Sequence, residues 1–322
     1  MESNAPSVRI MRAVIVRRFG GPEVLEIADL PSPEPGPGQL RIRVAAAAVN
    51  RIDLSTRSGA LTEAGLLPRG LPEVALGWDV AGQVDAVGAG VTRHRVGDRV
   101  IGLRDVLSAG GAQAEQVVLD AGAVAPAPAS VPVELAAALP LIGLTADRSL
   151  TLTGLRAGET LLVTGAAGGV GGLLLQLAAP RGIRTVAVAD AADEPYVRGL
   201  GADEFVARTD RLGTAVRRIV PGGVDAVVDA AVVGVAAHEA LRGGGTFVAL
   251  VAPFAPPPLR ATRVLVQEVY ADGARLAELA AGVDAGRLTL RLAGTLPLAR
   301  VAEAHDRLAA GRLPGRLVLL PG

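Results

Sequence analysis

The apolar positions of this chain change rhythm twice. From Met11 to about Pro126 they come in short runs broken by glycine and proline: Ala13–Val16, Val24–Ile27, Leu40–Val44, Val74–Asp85, Arg99–Leu103 and Gln116–Leu119. Leu40-Arg41-Ile42-Arg43-Val44 alternates with period two, which predicts a strand with one face on a core and both arginines outward. Pro31–Gly38 holds four prolines, each fixing φ and lacking an N–H, so it predicts a rigid surface connector. Residues 1–10 read as an extension. This first segment predicts an irregular, mostly antiparallel β domain.

Near Val133 the pattern lengthens. Glu134–Ala138 and Ala146–Leu152 read as helices. Six strands then alternate with helices: Thr160–Thr164, Arg184–Ala189, Glu204–Ala207, Val224–Asp229, Gly245–Leu250 and Val264–Val269. Five of the six are apolar runs, as strands buried on both faces of a parallel sheet are. Helices fit between them at Val170–Ala179, Glu194–Leu200, Leu212–Val220 and Ala236–Leu241, and another follows at Ala274–Ala281. The short rhythm then returns with a strand at Leu288–Leu292, a helix at Leu298–Ala310 and a strand at Leu317–Leu320. The chain is therefore expected to divide into a β domain at 11–132, a doubly wound parallel α/β domain at 133–284, and a return to the β domain at 285–322.

One turn carries a chemical signal. Thr160–Thr164 leads into Gly165-Ala166-Ala167-Gly168-Gly169-Val170-Gly171 and then an apolar helix. A strand, a glycine-rich turn and a helix N-terminus together offer close backbone approach and unpaired N–H groups to a pyrophosphate. Asp190, at the end of the next strand, stands where a carboxylate takes the ribose hydroxyls of an adenine dinucleotide.

Composition narrows the chemistry. The 322 residues carry 32 basic and 32 acidic side chains, so the basic excess of a nucleic-acid binder is missing. There is no cysteine, hence no disulfide, thiol nucleophile or thiolate metal site. Every basic residue is arginine, which removes a lysine Schiff base and the lysine-bearing phosphate loop. The three histidines, His94, His238 and His305, are far apart and read as surface or helix residues. No signal-peptide pattern opens the chain. The longest uncharged apolar run, near Leu135–Ala146, contains Pro140 and is too short to span a bilayer. A soluble cytoplasmic protein is expected.

The glycine turn resembles the A-A-x-G-G-V-G of medium-chain dehydrogenases/reductases, specifically their zinc-independent quinone oxidoreductase branch. Supporting pieces are Phe19-Gly-Gly-Pro-Glu-Val-Leu25, Ala48-Val-Asn-Arg-Ile-Asp53, Leu76-Gly-Trp-Asp-Val-Ala-Gly82, Val96-Gly-Asp-Arg-Val100, Gly110-Gly-Ala-Gln-Ala-Glu115 and Leu200-Gly-Ala-Asp203. The resemblance implies a discontinuous GroES-like β domain around a Rossmann domain. It places Asn50 where zinc enzymes of the superfamily have a cysteine ligand, Gly77-Trp78-Asp79 where they have Gly-His-Glu, and apolar Leu141–Ile142 at the third ligand, so no zinc is expected. It also implies NAD(P)H held by Thr145, the Gly165–Gly171 turn, Asp190, Arg208, Leu250 and Val251.

The implied reaction is hydride transfer to a quinone or conjugated enone, with Asn50 as a hydrogen-bond donor near the nicotinamide. Asp53 has two readings, orienting Asn50 or capping the local backbone. Trp78 has two as well, flooring a substrate pocket or filling the core. Thr145 reads as a cofactor contact or as an ordinary helix cap. Several aromatic positions of the branch are replaced here, by Ala60-Leu61, Gln113 and Asp147, which implies a small, less aromatic pocket. The alternatives are an enoyl or tailoring reductase of a natural-product intermediate, and a dinucleotide-binding sensor without turnover. Asp190 favours NADH over NADPH, with Arg208 opposing. An apolar edge strand at Val264–Val269 implies a homodimer.

Overall fold

The structure is a computed structural model that describes residues 9–105, 110–208, 211–311 and 313–322. Most of the expected N-terminal extension therefore lies outside the described residues. The chain forms two compact units. Unit 1 comprises residues 1–141, 270–285 and 290–322, and unit 2 residues 142–269 and 286–289.

Unit 1 opens with β1 (Ile10–Val16), β2 (Glu26–Pro31), β3 (Gln39–Val49), α1 (Arg51–Ser58), α2 (Ala60–Glu63), β4 (Val74–Ala75), β5 (Asp79–Val87), β6 (Arg99–Leu103), β7 (Gln116–Asp120), β8 (Val124–Pro126) and α3 (Val133–Ala136). The chain then runs along α4 (Pro140–Thr153) into unit 2. There follow β9 (Thr160–Thr164), α5 (Gly169–Ala178), β10 (Arg184–Ala189), α6 (Glu194–Gly199), β11 (Glu204–Ala207), α7 (Leu212–Ile219), β12 (Val224–Asp229), α8 (Val235–His238), β13 (Leu241–Ala249) and β14 (Arg263–Val266). Unit 1 is completed by α9 (Gly273–Asp284), β15 (Leu292–Pro297), α10 (Val301–Ala310) and β16 (Arg316–Leu320).

In unit 1 a small sheet, β2-β1-β4, accompanies a larger one ordered β15-β16-β3-β5-β6-β8, with β7 also paired to β3. All pairs but β15·β16 are antiparallel. The core beneath is aliphatic: Leu40, Ile42, Val44, Val80, Val84, Val100, Val117 and Leu119. The outward alternation expected of β3 fails at Arg41, which is 5% exposed. Its Nε donates to Asp85 (2.8 Å), and its Nη1 donates to the Pro33 carbonyl (3.1 Å) and to Glu34 (3.0 Å). The proline-rich connector is thus fastened over the strand by a guanidinium that bonds it and Asp85.

Unit 2 is a parallel sheet ordered β11-β10-β9-β12-β13-β14. Counted along the unit this is 3-2-1-4-5-6, the doubly wound order whose direction reverses between β9 and β12. All five β9 residues are buried, as two-sided burial predicts. Its core gathers Leu162, Val186, Val188, Val206, Val216, Val227 and Phe247.

Several expected elements shift, among them the edge strand expected at Val264–Val269, which runs Arg263–Val266, and the strand expected at Gly245–Leu250, which begins at Leu241. The helix expected at Ala236–Leu241 stops at His238, because Leu241 already pairs with Val224 at the head of β13. The strand expected at Leu288–Leu292 begins at Leu292, since the Thr289 N–H is taken by the Gln176 side chain (2.7 Å). The helix expected from Ala146 starts at Pro140; proline is tolerated in a first turn, where its missing N–H has no partner to lose. The stretch Val133–Thr153 is long and apolar enough to cross a membrane by length and composition, against the expectation from Leu135–Ala146 alone. It is 72% buried within the protein, as a core helix is.

His305 of α10 is fully buried, with Nδ1 3.4 Å from Arg57 Nη1. Burial, then the Arg57 charge, pushes its pKa down from 6.5 to about 4. Below pH 6.5 the unfolded chain therefore binds a proton that the folded chain refuses until about pH 4. This contribution to stability is full above 6.5 and is lost as pH falls, by about 3 kcal/mol at most. Urea unfolding across that range should show a shallower pH slope in His305→Gln than in wild type. Equal slopes would place the titration elsewhere.

Candidate active site

In unit 1 the end of β3 delivers Asn50 just ahead of α1, in extended conformation at the helix N-cap. Asp53, one turn on, accepts from the Asn50 N–H (2.7 Å) and from the Gly77 N–H (3.1 Å). Of its two readings the capping one describes these bonds: the carboxylate closes the helix start and ties it to Gly77. Gly77 has φ +102, and a Cβ there would lie 2.2 Å from the Gln113 nitrogen, so only glycine fits.

Asp79, the first residue of β5, accepts from Asn50 Nδ2 (2.8 Å) and from the Leu141 N–H at the start of α4 (2.6 Å). Arg316, the first residue of β16, donates to Asn50 Oδ1 and to the Val49 carbonyl (2.8 Å). An arginine only donates and a carboxylate only accepts, which fixes which end of the Asn50 amide faces which. The remaining Nδ2 contact is a long one, 3.4 Å to the Ala48 carbonyl. The amide expected to donate to a substrate is thus engaged inside unit 1, and Asn50 is 2% exposed.

Burial dominates the electrostatics of this cluster. It pushes Asp53 up to about 7, helped by the neighbouring Asp79 charge and opposed by the two N–H donors. It pushes Asp79 up to about 6, against the pull of Arg316 and Asn50. It holds Arg316 below the usual guanidinium range, with both carboxyls opposing.

Trp78 is 1% exposed, and the Arg104 guanidinium carbon lies 5.0 Å from its ring centroid. This burial agrees with the core-filling reading of Trp78, and one face of its ring carries a cation.

In unit 2, Gly165 turns the chain at φ +60 and Gly168 caps α5. A Cβ on Gly171 would lie 2.3 Å from the Gly165 carbonyl oxygen. Only glycine lets the helix start pack so close to the strand end. The N–H groups of Gly169, Val170 and Gly171 precede the first helical bond, from Gly172 to Gly168 (2.8 Å), and are the donors a helix N-terminus offers to phosphate. Ala166 is fully buried, and Ala167 is half-buried on the turn.

Asp190 follows β10 and forms an ion pair with Arg208, which follows β11. Leu250 and Val251 follow β13, with Val251 40% exposed. Thr145 is buried in the second turn of α4, which removes its reading as a helix cap. His238 and His305 are helix residues, but buried ones; His238 Nε2 meets the Thr262 hydroxyl at 2.8 Å.

Two arginines of the site escaped the sequence reading. Arg316 opens an otherwise apolar strand and Arg104 closes one, and a charge at such a strand end is the only signal either leaves.

The resemblance places zinc ligands of related enzymes at Asn50, Trp78 and Leu141–Ile142. The Asn50 oxygen already faces a guanidinium, Trp78 offers no ligand, and Leu141 presents a backbone N–H. Among the described residues no group of three or more His, Cys, Asp or Glu is placed to hold a metal ion.

A dinucleotide-type glycine turn on a doubly wound sheet, joined to an antiparallel β unit, defines a nicotinamide-dependent oxidoreductase of two-part plan. The comparisons give the family. The alcohol dehydrogenase GroES-like domain matches residues 36–129 and the zinc-binding dehydrogenase family residues 200–319. The human quinone oxidoreductase is 30% identical over 98% of this chain and 99% of its own. An NADPH-dependent alkenal/one oxidoreductase of Arabidopsis thaliana is 31% identical over 97% of this chain and 80% of its own. A spinach quinone-oxidoreductase homolog is 35% identical over 62% of each chain. The quinone oxidoreductase of Coxiella burnetii superposes with TM-score 0.86 at 27% identity, covering 98% of this chain and 100% of that one. The chain belongs to the quinone-oxidoreductase-like branch of the medium-chain dehydrogenase/reductase superfamily.

Removing Arg316 leaves Asp79 buried without its cation, a change that costs about 3–5 kcal/mol. Arg316→Met should lose that much in denaturant unfolding at pH 8, where both carboxyls of wild type are ionised. Adding Asp79→Asn should recover a large part of it. Simple additivity of the two substitutions would show that they do not interact.

Proposed function

We propose that this protein transfers a hydride from a reduced nicotinamide dinucleotide to the β-carbon of a quinone or conjugated enone, without zinc. The observation that supports this reading is the Asn50–Asp79–Arg316 cluster, whose side chains bond one another at the positions where the resemblance places zinc ligands. Without a Lewis acid an isolated ketone is a poor hydride acceptor. A conjugated system spreads the incoming charge onto an oxygen that hydrogen-bond donors stabilise. The cofactor supplies the hydride. The acceptor gains the electron pair, its carbonyl oxygen takes the charge, and water returns the proton.

The Gly165–Gly171 turn and the α5 N-terminus bind the pyrophosphate in this reading, and Asp190 takes the ribose hydroxyls. Thr145, Leu250 and Val251 serve as further cofactor contacts. We infer a modest preference for NADH. The Asp190 carboxylate suits a diol, and at about 4 Å with an effective dielectric near 20 it repels a phosphate charge by a few kcal/mol. Arg208 works in the opposite direction, and its pairing with Asp190 ties up part of that attraction. A mycobacterial protein that is 34% identical, with TM-score 0.82 over 96% of this chain and all of its own, has been solved with NADPH, so the choice turns on this pair.

A homodimer through β14 also fits. β14 is the outer strand of its sheet, with Val266 43% exposed and Leu259 and Phe254 more so. Light scattering at micromolar concentration should give twice the chain mass.

The reaction is tested by following NADH or NADPH oxidation at 340 nm over a panel of quinones and enones, with and without a chelator. Turnover unaffected by the chelator is expected; cofactor binding with no oxidation on any acceptor would make the protein a sensor. In the same assay Asp190→Ser should move the kcat/KM ratio toward NADPH by about tenfold or more, and Arg208→Ala should move it toward NADH. A ratio indifferent to Asp190→Ser would show that this carboxylate does not meet the ribose.

A further inference from the structure

Unit 1 holds an open cleft of about 380 Å3 whose lining includes no residue of the Asn50 cluster. The start of β1, from Arg9 to Met11, forms one wall, and Arg43, midway along β3, forms another. Glu115 and Gln116 tie the two walls together. The Glu115 N–H bonds the Arg12 carbonyl (2.9 Å), the Val44 N–H bonds the Glu115 carbonyl (2.9 Å), and Gln116 pairs with Arg43. Arg9 is fixed through its own carbonyl, which accepts from the Ser32 N–H (2.8 Å). Arg12 Nη2 donates to the Pro321 carbonyl (3.0 Å), and the following residue, Gly322, completes the lining.

The carboxylates nearest this cleft are held by cations other than Arg9 and Arg43. Glu115 Oε1 accepts from Arg12 Nε (2.7 Å) and its Oε2 from the Arg12 N–H (2.9 Å). Asp85, reached through Gln116 Nε2 (2.9 Å), accepts from Arg41 Nε (2.8 Å). Gln116 Oε1 in turn receives the Ser32 hydroxyl. Arg43 Nη2 donates to a neutral oxygen, Gln83 Oε1 (2.6 Å), which engages one donor of its guanidinium. Among the described residues the Arg9 side chain has neither a hydrogen bond nor an ion pair. Even with a carboxylate at Gly322, the guanidiniums of Arg9, Arg12 and Arg43 outnumber the acids that line the cleft. An exposed arginine by itself is an ordinary solvated charge. Two of them on one concavity, with the neighbouring acids bound elsewhere, concentrate positive potential inside it.

We propose that this cleft binds a phosphate monoester between Arg9 and Arg43, as a site separate from hydride transfer and independent of that reading. The chemistry selects the ligand. A carboxylate has two coplanar oxygens and is matched by a single guanidinium fork. A phosphate monoester has three outer oxygens arranged tetrahedrally and a charge near −2, so it can meet two forks from two walls at once. Ile10, 65% exposed on the cleft wall, offers apolar contact to the organic part of the ester. That group is found on small soluble phosphates and on the headgroup of phosphatidic acid, and both present the same oxygens to the two arginines.

The test titrates phenyl phosphate into the protein at low ionic strength and follows the phosphorus resonance of the monoester. NADH is present throughout, so that phosphate binding at the glycine turn is suppressed. Saturable binding is expected in wild type. Arg9→Gln and Arg43→Gln should each weaken it by about threefold or more, and the double variant by about tenfold or more. Glu115→Gln, which leaves Arg12 without its carboxylate, should tighten it. Arg218→Gln, on α7 of unit 2, removes the same charge elsewhere and should leave the affinity unchanged. Benzoate should displace phenyl phosphate only at about tenfold higher concentration or more. A second arm mixes the protein with phosphatidylcholine vesicles, with and without phosphatidic acid. Flotation that needs both phosphatidic acid and the two arginines assigns the headgroup; phenyl phosphate binding without flotation assigns a soluble ester. Thermal midpoints establish that each variant is folded. No binding in either arm overturns the site, as does binding that survives the double variant or falls equally in Arg218→Gln. Benzoate binding as tightly as phenyl phosphate overturns the choice of phosphate.

Discussion

Four backbone segments far apart in sequence meet around the side chain of Asn50. Its own segment ends β3 and opens α1; Asp79 heads β5, Arg316 heads β16, and Asp79 reaches the start of α4 through the Leu141 N–H. The amide sits between a group that can only accept and a group that can only donate, so it cannot rotate without losing both. A strand register that slipped by one residue would turn Asp79 or Arg316 to the other face of the sheet and leave a charge buried without its partner. Such a cluster contributes little net stability beyond an apolar replacement. What it does is penalise every misaligned pairing of β3 with β5 and β16, and thereby position the neighbouring Gly77-Trp78 segment.

Unit 2 obtains its precision from the opposite device, close packing without side chains. Gly171 brings the first turn of α5 against the Gly165 carbonyl at a distance no Cβ allows. At the same end of the sheet Thr164, on the last residue of β9, donates to Asp229 at the end of β12 (2.6 Å), and Asp229 also receives the Val233 and Gly234 N–H groups (3.1 and 2.7 Å). The two central strands are therefore joined at the point where the strand order reverses, which is where ligands of doubly wound sheets bind.

These two devices differ in how much of them can be seen in the sequence. The parallel sheet was legible because two-sided burial writes itself as uninterrupted apolar runs, and β9, β10 and β12 appear as read. The glycine turn was legible because its spacing is local. Element ends were less so: the end of α8 and the start of β15 depend on Leu241 pairing with Val224 and on Gln176 bonding Thr289, contacts over many residues. The charge cluster was the least legible. Asn50, Asp53 and Asp79 drew attention through their motif positions, but Arg316 lies 266 residues from Asn50. Arg41 misled for the same reason: period two placed it outward, and only the folded connector shows that Glu34 and Asp85 hold it in.

The composition limits what the site can do to a carbonyl. Without cysteine or lysine, the polar groups gathered around Asn50 and Trp78 are amides, an indole N–H, guanidiniums and two buried carboxyls. Amides and indoles donate hydrogen bonds but bring no net charge. A guanidinium brings charge but holds its proton too firmly to give it away near neutral pH. Amides, indoles and guanidiniums stabilise charge without moving protons. They suit a reaction in which charge is delocalised as it forms and a proton arrives afterwards from water, and that is hydride addition to a conjugated acceptor. The Asn50 cluster bears on the same chemistry: at the positions where the resemblance places zinc ligands, it sets an amide between a carboxylate and a guanidinium that both already bond it.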